Sequence, residues 1–404
     1  MQNSSSPVNE FARGGTVLFA AFVGIGVNLA SMVYYSSGIW VRPWQEEFGW
    51  SRAEIGGQQS ISVLVMMLLA TFAGRLIDRY GLRRVTTISL AGYGILLLGF
   101  TFMNGPIWQL YLLSAAYAVF GVASTGLAFT RAVNAFFVKH RGLALGISLT
   151  STGVMAYVMP KFMTPYVAEN GWRSGFVVMF LIVMAALPIV YFLIKDAPED
   201  DGSKDPAISQ AQTGLTFGEA VRNLTFWKVG AIFFLISVVI LGLIPAFIPM
   251  LQDAGLSPAQ AGSLGAALGL SVMFGRLLIG FLIDRIFAPY LTAVVFAGVG
   301  LGCLLLGVGG IGYAMAAAIA LGFAVGAEVD LIGYYTARYF GLANYGAIYG
   351  LQYSIFIFGA GVSPIYTGYI WDVTGNYDIA LIMAAILMVP VILISLSLPK
   401  FENA

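Results

Sequence analysis

Residues 271–285 read Ser271-Val272-Met273-Phe274-Gly275-Arg276-Leu277-Leu278-Ile279-Gly280-Phe281-Leu282-Ile283-Asp284-Arg285. This run is apolar except for one interior arginine, Arg276, which lies about two helical turns before the charges that end the run. A cation in a membrane-spanning helix is costly, so it normally faces a cavity and has a partner. The stretch therefore predicts a spanning helix with a functional cation, and the next question is what that cation binds.

The composition is that of a polytopic membrane protein. The chain has 404 residues, 59% hydrophobic and 10% charged, whereas soluble proteins are roughly a quarter charged. A net charge of +1 gives no reason to expect a nucleic acid partner. With one cysteine, Cys303, and one histidine, His140, an intrachain disulfide is excluded and catalytic or metal-binding sets have almost no residues to use. We expect no cofactor, no metal and no enzymatic activity.

Twelve apolar runs are long enough to be spanning helices, which need about 20 residues each. In chain order these predicted helices 1 to 12 lie at 15–41, 55–77, 84–104, 107–137, 142–167, 172–195, 226–251, 258–283, 287–308, 311–339, 343–370 and 377–398. The sequence thus predicts an all-α membrane protein with twelve transmembrane helices in two six-helix halves. The predicted parts are an N-terminal tail (1–14), a first half (15–195), a cytoplasmic linker (196–225), a second half (226–398) and a C-terminal tail (399–404).

The two halves repeat at a fixed offset of 206 residues, so that position 280 corresponds to position 74. Two separate motifs share this offset: Gly74, Leu76, Ile77, Asp78 and Arg79 match Gly280, Leu282, Ile283, Asp284 and Arg285, and Gly49, Ser51, Ala53 and Gly56 match Gly255, Ser257, Ala259 and Gly262. Capping boxes are predicted at Ser51–Glu54, Ser257–Gln260 and Thr216–Glu219. Halves related by an axis along the membrane normal are typical of transporters, with the substrate site at their interface.

Basic residues in the short connections predict the orientation. One side carries Arg75, Arg79, Arg83, Arg84, Lys139, Arg141, Lys195, Lys204, Arg222, Lys228, Arg285, Arg338 and Lys400, and the other carries Arg42, Arg52 and Arg173, with Lys161 near that end of its helix. Both termini are therefore predicted to be cytoplasmic. We expect a multi-pass protein of a bacterial cytoplasmic membrane that functions as a monomer.

Residues 74–84, Gly74-Arg75-Leu76-Ile77-Asp78-Arg79-Tyr80-Gly81-Leu82-Arg83-Arg84, resemble the loop 2–3 motif of the major facilitator superfamily. The second-half copy keeps Gly280, Asp284 and Arg285 but lacks the trailing glycine and arginines. The resemblance implies a gating role for Gly74, Asp78, Arg79, Arg83, Asp284 and Arg285. Asp78 would pair with basic groups of a neighbouring helix in one conformational state. A basic cytoplasmic loop that fixes topology explains the arginines equally well.

Four further segments resemble the monocarboxylate transporter family, including its bacterial oxalate/formate exchangers. They are 48–55 (FGWSRAEI), 141–146 (RGLALG), 171–173 (GWR) and 345–350 (YGAIYG). The resemblance implies that an arginine four residues before the helix 8 glycine binds the substrate carboxylate, and Arg276 precedes Gly280 by that spacing. This sequence lacks the lysines that some members carry in helices 1 and 11.

Two arginines lie inside predicted helices, and neither recurs in the repeat. Arg276 corresponds to Ala70 at the offset of 206 residues, and aligning Gly142 and Gly146 with Gly346 and Gly350 pairs Arg131 with Tyr335. A guanidinium matches a carboxylate with two parallel hydrogen bonds, which makes Arg276 a candidate substrate ligand; an internal salt bridge is the alternative. Arg131 can bind a second carboxylate, pair with an acid of helix 10, or extend to the cytoplasmic surface.

Glu328 and Asp330 lie in helix 10 and are candidates for proton coupling. Residues two apart on a helix point about 200° apart, so only one of the two can face a central cavity squarely. The protonation of a buried carboxylate responds in opposite directions to desolvation and to a nearby arginine, and both can change as a cavity opens. A fixed ion pair with Arg131 or Arg276 is the alternative.

Polar residues in the predicted helices are candidates for the lining of a substrate cavity. They are Tyr34, Tyr35, Asn134, Tyr334, Tyr335, Gln352 and Tyr353. The superfamily resemblance implies that helices 1, 4, 7 and 10 line the central path. Tyrosine offers a hydroxyl and an apolar face to an organic acid, but tyrosines also form belts at the membrane interface.

These observations predict a secondary active transporter that moves a small organic anion, a monocarboxylate, with protons by alternating access, with Arg276 binding the carboxylate. Its partners are the carboxylate, protons and the lipid bilayer. One alternative is an oxalate/formate-type exchanger, in which Arg131 and Arg276 bind a dicarboxylate; another is a proton-coupled exporter of amphipathic drugs. A non-transporting sensor would need a larger soluble domain than residues 196–225.

Overall fold

The computed structural model describes residues 7–137, 140–195, 214–283 and 285–401. Nearly all of these residues are helical, since a backbone in hydrocarbon must satisfy its own hydrogen bonds. The α-helices are α1 (Pro7–Val27), α2 (Tyr34–Phe48), α3 (Arg52–Tyr80), α4 (Leu82–Phe100), α5 (Ile107–Gly121), α6 (Gly126–Phe136), α7 (Arg141–Val158), α8 (Thr164–Asn170), α9 (Trp172–Leu193), α10 (Phe217–Arg222), α11 (Leu224–Asp253), α12 (Pro258–Leu282), α13 (Ala288–Gly309), α14 (Ala314–Phe340), α15 (Tyr345–Thr374) and α16 (Asp378–Leu396).

Eleven helical segments of the described chain are long and apolar enough to cross a membrane. They are Glu10–Val27, Arg52–Tyr80, Ile107–Phe136, Arg141–Asn170, Trp172–Leu193, Leu224–Asp253, Pro258–Leu282, Ala288–Gly309, Ile311–Phe340, Tyr345–Thr374 and Asp378–Leu396. Each overlaps one of the twelve predicted runs. The remaining run, 84–104, forms α4, whose first turn carries Arg83 and Arg84 and is correspondingly less apolar.

The described chain forms two compact units, of which the first comprises Met1–Trp50 and Gly57–Asp200. In this unit α1 packs against α6, α7 and α9, and α4 packs against α5 and α9. Stacked aromatic rings fill one end of it: Phe100 and Phe176 lie parallel with centroids 4.8 Å apart, and Trp44 stacks on both. Large rings bury much apolar surface, so this cluster anchors α2, α4 and α9 together.

Two of the predicted spanning runs are interrupted by short π-helical turns. The first run divides into α1 and α2 at Leu29–Val33, where the buried Asn28 accepts a 2.8 Å hydrogen bond from the Ser31 amide. The fifth run divides into α7 and α8 at Met159–Met163, which contains Pro160. Proline supplies no amide hydrogen to the helix, so a local change of hydrogen-bond pattern is expected there.

The second unit comprises Ser51–Gly56 and Asp201–Ala404. Its main packing partners are α12 with α14, α13 with α16, and α11 with α15. The capping boxes predicted at Thr216–Glu219 and Ser257–Gln260 are confirmed, as are both hydrogen bonds between Ser51 and Glu54. Residues 196–213 of the predicted linker lie outside the described residues, and the remaining linker residues contain α10.

Glycines let α12 and α14 approach backbone to backbone. A Cβ added at Gly326 would lie 2.5 Å from the Val272 carbonyl oxygen and 2.7 Å from the Arg276 amide nitrogen. A Cβ at Gly275, on the facing helix, would lie 2.7 Å from the Cα of Phe323. Small residues at helix crossings are the usual means of close packing in membranes. This contact therefore determines how far Arg276 lies from the residues of α14.

We expect Gly326→Ala to destabilise the protein by about 1–3 kcal/mol, because the added methyl group overlaps the α12 backbone. The matched control is Gly298→Ala in α13, where an added Cβ meets nothing within 4 Å; that change is expected to be neutral or slightly stabilising, because alanine favours the helix. The measurement is the thermal unfolding of both variants in the same detergent. Equal melting temperatures for the two variants would contradict the tight α12–α14 contact.

Candidate functional site

Arg276 and Asp330 form an ion pair between α12 and α14. The Nε atom of Arg276 lies 3.6 Å from Oδ2 of Asp330, and the two side chains are 18% and 42% exposed. Gly326, one helical turn before Asp330, packs on the Arg276 backbone and so positions the carboxylate beside the guanidinium. The pair is thus inside an apolar bundle and still open on the side of Asp330.

Glu328 lies on the other side of α14 from Asp330. It is 4% exposed, and its Oε2 atom is buried with no hydrogen-bond partner among the described residues. Both Arg276 and Asp330 are near enough to interact electrostatically with its carboxyl group. The different surroundings of the two acids agree with the separation of about 200° predicted from their spacing. One acid is paired with Arg276, and the other is a buried neighbour of that pair.

Arg131 forms an ion pair with Asp78 at the exposed end of α3. Its Nη1 atom lies 2.5 Å from Asp78 Oδ1, and both side chains are largely exposed. The pair joins the end of α3 to α6 beside a shallow cleft lined by Ile77, Leu82 and Ala132. It is a contact of the Asp78 motif with a basic group of a neighbouring helix, the arrangement that the superfamily resemblance implies.

Of the other predicted gating residues, Arg83 contacts α9, whereas Arg79 and Arg285 contact neighbours in the chain. Arg83 donates a 2.5 Å hydrogen bond from Nε to the Tyr191 carbonyl and lies over the Tyr191 ring. Arg285 lies 3.6 Å from the centre of the Phe281 ring, and Arg79 lies over the ring of Tyr80. Gly74 has open space on its side-chain side. Asp284 lies outside the described residues.

Three predicted cavity residues of the second unit pack elsewhere. Tyr335 is fully buried, with its hydroxyl 2.8 Å from Thr292 Oγ1. Gln352 is also buried, and its Nε2 donates a 2.8 Å hydrogen bond to the Phe226 carbonyl. Tyr334 contacts the ring of Phe401 edge-on. Tyr335 thus joins α14 to α13 and Gln352 joins α15 to α11, whereas Tyr353 is 37% exposed and stays available as a lining residue.

In the first unit, Tyr34 and Tyr35 form an edge-to-face ring pair with centroids 5.3 Å apart, directly after the π-helical turn. Asn134 lies in α6 one turn after Arg131, and its Oδ1 atom is buried without a hydrogen-bond partner in the described part of the chain. These three residues belong to a different unit from Arg276. The candidate site is therefore built from the second-unit residues alone.

Sequence reasoning used Arg52 only as an orientation charge and missed its buried cluster in the second unit. Its Nη1 atom lies 2.7 Å from Asp253 and donates a 2.8 Å hydrogen bond to the Tyr377 hydroxyl, while the guanidinium lies over Trp371. Asp372 accepts hydrogen bonds from the Arg52 and Ala53 amides. Burial raises the pKa of Tyr377 to about 12, so its hydroxyl remains neutral. One usable signal was that Asp253 and Asp372 end helices on the same predicted side as Arg52.

A bundle of apolar spanning helices that holds a partly open Arg–Asp pair is the architecture of a polytopic membrane transporter. The chain belongs to the major facilitator superfamily, whose family model matches residues 17–327 and 244–403. The family and fold are those of transporters, not of enzymes. The predictions of an all-α transporter fold and of a non-enzymatic protein are thereby confirmed.

Several known proteins resemble this chain along most of its length. A gallate transporter of Pseudomonas putida is 23% identical over 373 residues, which cover 80% of this chain and 81% of that protein. Human monocarboxylate transporter 11 is 24% identical, with 96% and 83% covered. The structure of a bacterial homologue of the human lysosomal transporter Spinster superposes with a TM-score of 0.73 at 18% identity, covering 94% of this chain and 96% of that one. The two sequence relatives support the predicted monocarboxylate transporter resemblance, and the superposed structure shows the same fold.

We expect Asp78→Asn and Arg131→Ala each to reduce transport severalfold, because each leaves one charge of the pair without its partner. The effects should not add in the double variant, since both remove one interaction. The charge-swapped variant Asp78→Arg/Arg131→Asp should recover most of the activity, and Arg84→Ala, an exposed arginine of the same motif, serves as control. The measurement is the initial uptake rate in proteoliposomes. Strictly additive losses with no recovery on swapping would contradict a role for the pair.

Proposed function

We propose that the chain moves a small organic anion, a monocarboxylate, across the membrane together with protons, and that Arg276 binds the substrate carboxylate. The observation that carries this proposal is the partly open ion pair of Arg276 with Asp330. An isolated charge in a spanning helix is costly, and such residues usually mark a substrate or ion path. Arg276 is held beside a carboxylate that a substrate carboxylate can replace.

The geometry of the pair suits such an exchange. A charge-assisted N–H···O bond is usually 2.7–2.9 Å long, whereas Nε of Arg276 is 3.6 Å from Asp330. Asp330 therefore neutralises the guanidinium at a longer distance than a strong bidentate bond. A substrate carboxylate that reaches Arg276 from the exposed side can form the shorter bidentate bonds, and Asp330 then turns towards water.

Charge balance makes Glu328 the proposed proton carrier. With substrate absent, Arg276 faces two carboxyl groups, those of Asp330 and Glu328. A substrate carboxylate adds a further negative charge to this buried site. Proton uptake by Glu328 removes one negative charge at the moment the anion arrives, which couples the two binding events. Glu328 suits this role because its Oε2 is not committed to a hydrogen bond among the described residues.

The named relatives support the carboxylate class. A gallate transporter and a monocarboxylate transporter both have names that specify carboxylates. The oxalate/formate alternative uses Arg131 as a second anion ligand, but that side chain is paired with Asp78 and largely exposed, so our proposal uses Arg276 alone. We further propose a monomer in the bacterial cytoplasmic membrane with both termini cytoplasmic, on the basis of the basic residues in the connections.

We expect Arg276→Ala to reduce uptake at least tenfold, because removing one partner of a buried charge pair costs several kcal/mol of binding. Arg276→Lys should recover only part of the activity, since an ammonium cannot form the two parallel bonds. The control is Arg42→Ala, a surface arginine with a helical neighbour, Glu46. Uptake of labelled lactate, benzoate and gallate is measured in proteoliposomes. Full activity in Arg276→Ala would remove the central claim.

We expect Glu328→Gln to abolish acceleration of uptake by an inward proton gradient while leaving counterflow exchange of the same anion within about threefold of the parent. The amide mimics the protonated acid, so the anion still binds but no proton is carried. Glu46→Gln, a change at an exposed acid, should behave like the parent. Retention of gradient-driven uptake in Glu328→Gln would show that the proton travels elsewhere.

A further inference from the structure

Three tyrosines form a continuous stack along one face of α15. Tyr345 and Tyr349 have ring centroids 5.6 Å apart with an interplanar angle of 15°, and Tyr349 and Tyr353 have centroids 5.8 Å apart at 10°. Phe356 continues the row at 5.8 Å from Tyr353. Residues four apart share a helix face, so this spacing makes a stripe of parallel rings. We refer to Tyr345, Tyr349 and Tyr353 as the tyrosine ladder.

The ladder runs antiparallel to α14 and passes the charged site. The Tyr345 hydroxyl lies next to Gly333, where an added Cβ would be 3.1 Å from its oxygen. Tyr349 is near enough to Asp330, and Tyr353 near enough to Glu328, for an electrostatic interaction. Moving along the ladder from Tyr345 to Tyr353 therefore means moving along α14 from Gly333 to Glu328. The Arg276–Asp330 pair lies beside the middle of this path.

The ladder is not completely covered by the rest of the protein. Tyr353 is exposed, Tyr345 and Tyr349 are half-buried, and Asp330 is 42% exposed. A charged residue of a spanning helix faces water or protein rather than lipid, so we expect the exposed side of Asp330 to be accessible to water. Rings beside that carboxylate present flat apolar faces, and three phenolic hydroxyl groups, to whatever binds at Arg276.

We propose that the tyrosine ladder is the specificity surface of the transporter and that the substrate is an aromatic carboxylate, such as a hydroxylated benzoate. This inference rests on the proposed binding of a carboxylate by Arg276. With its carboxylate on Arg276, a benzoate would place its planar ring against Tyr349 and Tyr353, the ladder members near Asp330 and Glu328. Aromatic rings prefer such offset stacking, and phenolic hydroxyls can exchange hydrogen bonds with ring hydroxyls.

An aliphatic acid of the same size gains nothing from the stack. Cyclohexanecarboxylate has the charge and nearly the volume of benzoate but no flat π-face. The distant relative from Pseudomonas putida named as a gallate transporter points the same way, since gallate is a hydroxylated benzoate. We therefore expect the three stacked side chains to give benzoate a higher affinity than cyclohexanecarboxylate. Arg276 binds the carboxylate of both acids in the same way.

The test compares benzoate, 4-hydroxybenzoate, cyclohexanecarboxylate and lactate as competitors of labelled benzoate uptake in proteoliposomes containing the full-length protein. In the parent we expect benzoate to compete about two- to tenfold better than cyclohexanecarboxylate, which is the range that one aromatic stacking contact provides. We expect 4-hydroxybenzoate to compete at least as well as benzoate. Lactate uptake, measured directly, reports carboxylate transport without a ring.

Variants of the ladder separate stacking from hydrogen bonding. Tyr349→Leu and Tyr353→Leu should remove the preference for benzoate over cyclohexanecarboxylate, which is measured as the ratio of the two acids' competition within each variant. Tyr353→Phe keeps the ring, so it should keep the benzoate preference and lose only the advantage of 4-hydroxybenzoate. Tyr369→Leu is the matched control, because Tyr369 is an exposed tyrosine of the same helix outside the ladder.

Each outcome bears on one of the two proposals. An unchanged benzoate preference in both leucine variants, or no preference in the parent, overturns the role of the ladder while Arg276-dependent lactate uptake still supports carboxylate transport. Uptake of none of these acids, or uptake that persists in Arg276→Ala, overturns the proposed function itself and the ladder inference with it. Loss of the preference in the leucine variants alone, with Tyr369→Leu like the parent, establishes the ladder as the specificity surface.

Discussion

The close contact between α12 and α14 determines the geometry of the candidate site. Gly275 and Gly326 bring the two backbones so near that an added methyl group at either position would overlap the facing helix. At this separation the guanidinium of Arg276 lies beside the carboxylate of Asp330. In hydrocarbon there is little hydrophobic gain from bringing helices together, so van der Waals packing at small residues has to supply the attraction. The ion pair is thus a consequence of helix packing at the two glycines. The strength of the pair is secondary to that packing in holding α12 against α14.

The features of the fold that could be predicted from the sequence are those that depend on local composition and spacing. Apolar runs, capping boxes and the offset between the halves are local or periodic signals, and the helices and the boxes at Thr216 and Ser257 follow them. The π-helical turns were not predicted, although Asn28 and Pro160 mark them. Their hydrogen-bond pattern depends on how the flanking helices pack, which no window of sequence contains.

The candidate site could be predicted only in part, because the partner of a charge is a property of tertiary structure. Arg276 was found by its chemistry in an apolar run, and Asp330 by the same reasoning. Arg131 is also an arginine within an apolar run, but it forms an ion pair with Asp78, because α6 ends beside the end of α3. Tyr335 and Tyr353 have the same side chain, and only packing makes one a core residue bonded to Thr292 and leaves the other exposed.

One arginine, Arg276, needs only one counterion, yet α14 carries two acids, Asp330 and Glu328. Their positions on α14 offer a physical reason for this. Asp330 lies on the open side, and under the proposed function it can move away from Arg276 when an anion replaces it, at little cost because its side chain is already 42% exposed. Glu328 lies on the buried side and cannot be hydrated in that way. Under the proposed function, the negative charge that a substrate brings to Arg276 is therefore balanced at Glu328 by a proton rather than by movement. The division of roles that we propose follows from their separation of two residues on a helix of 3.6 residues per turn, which leaves the Asp330 side chain partly exposed and the Glu328 side chain buried.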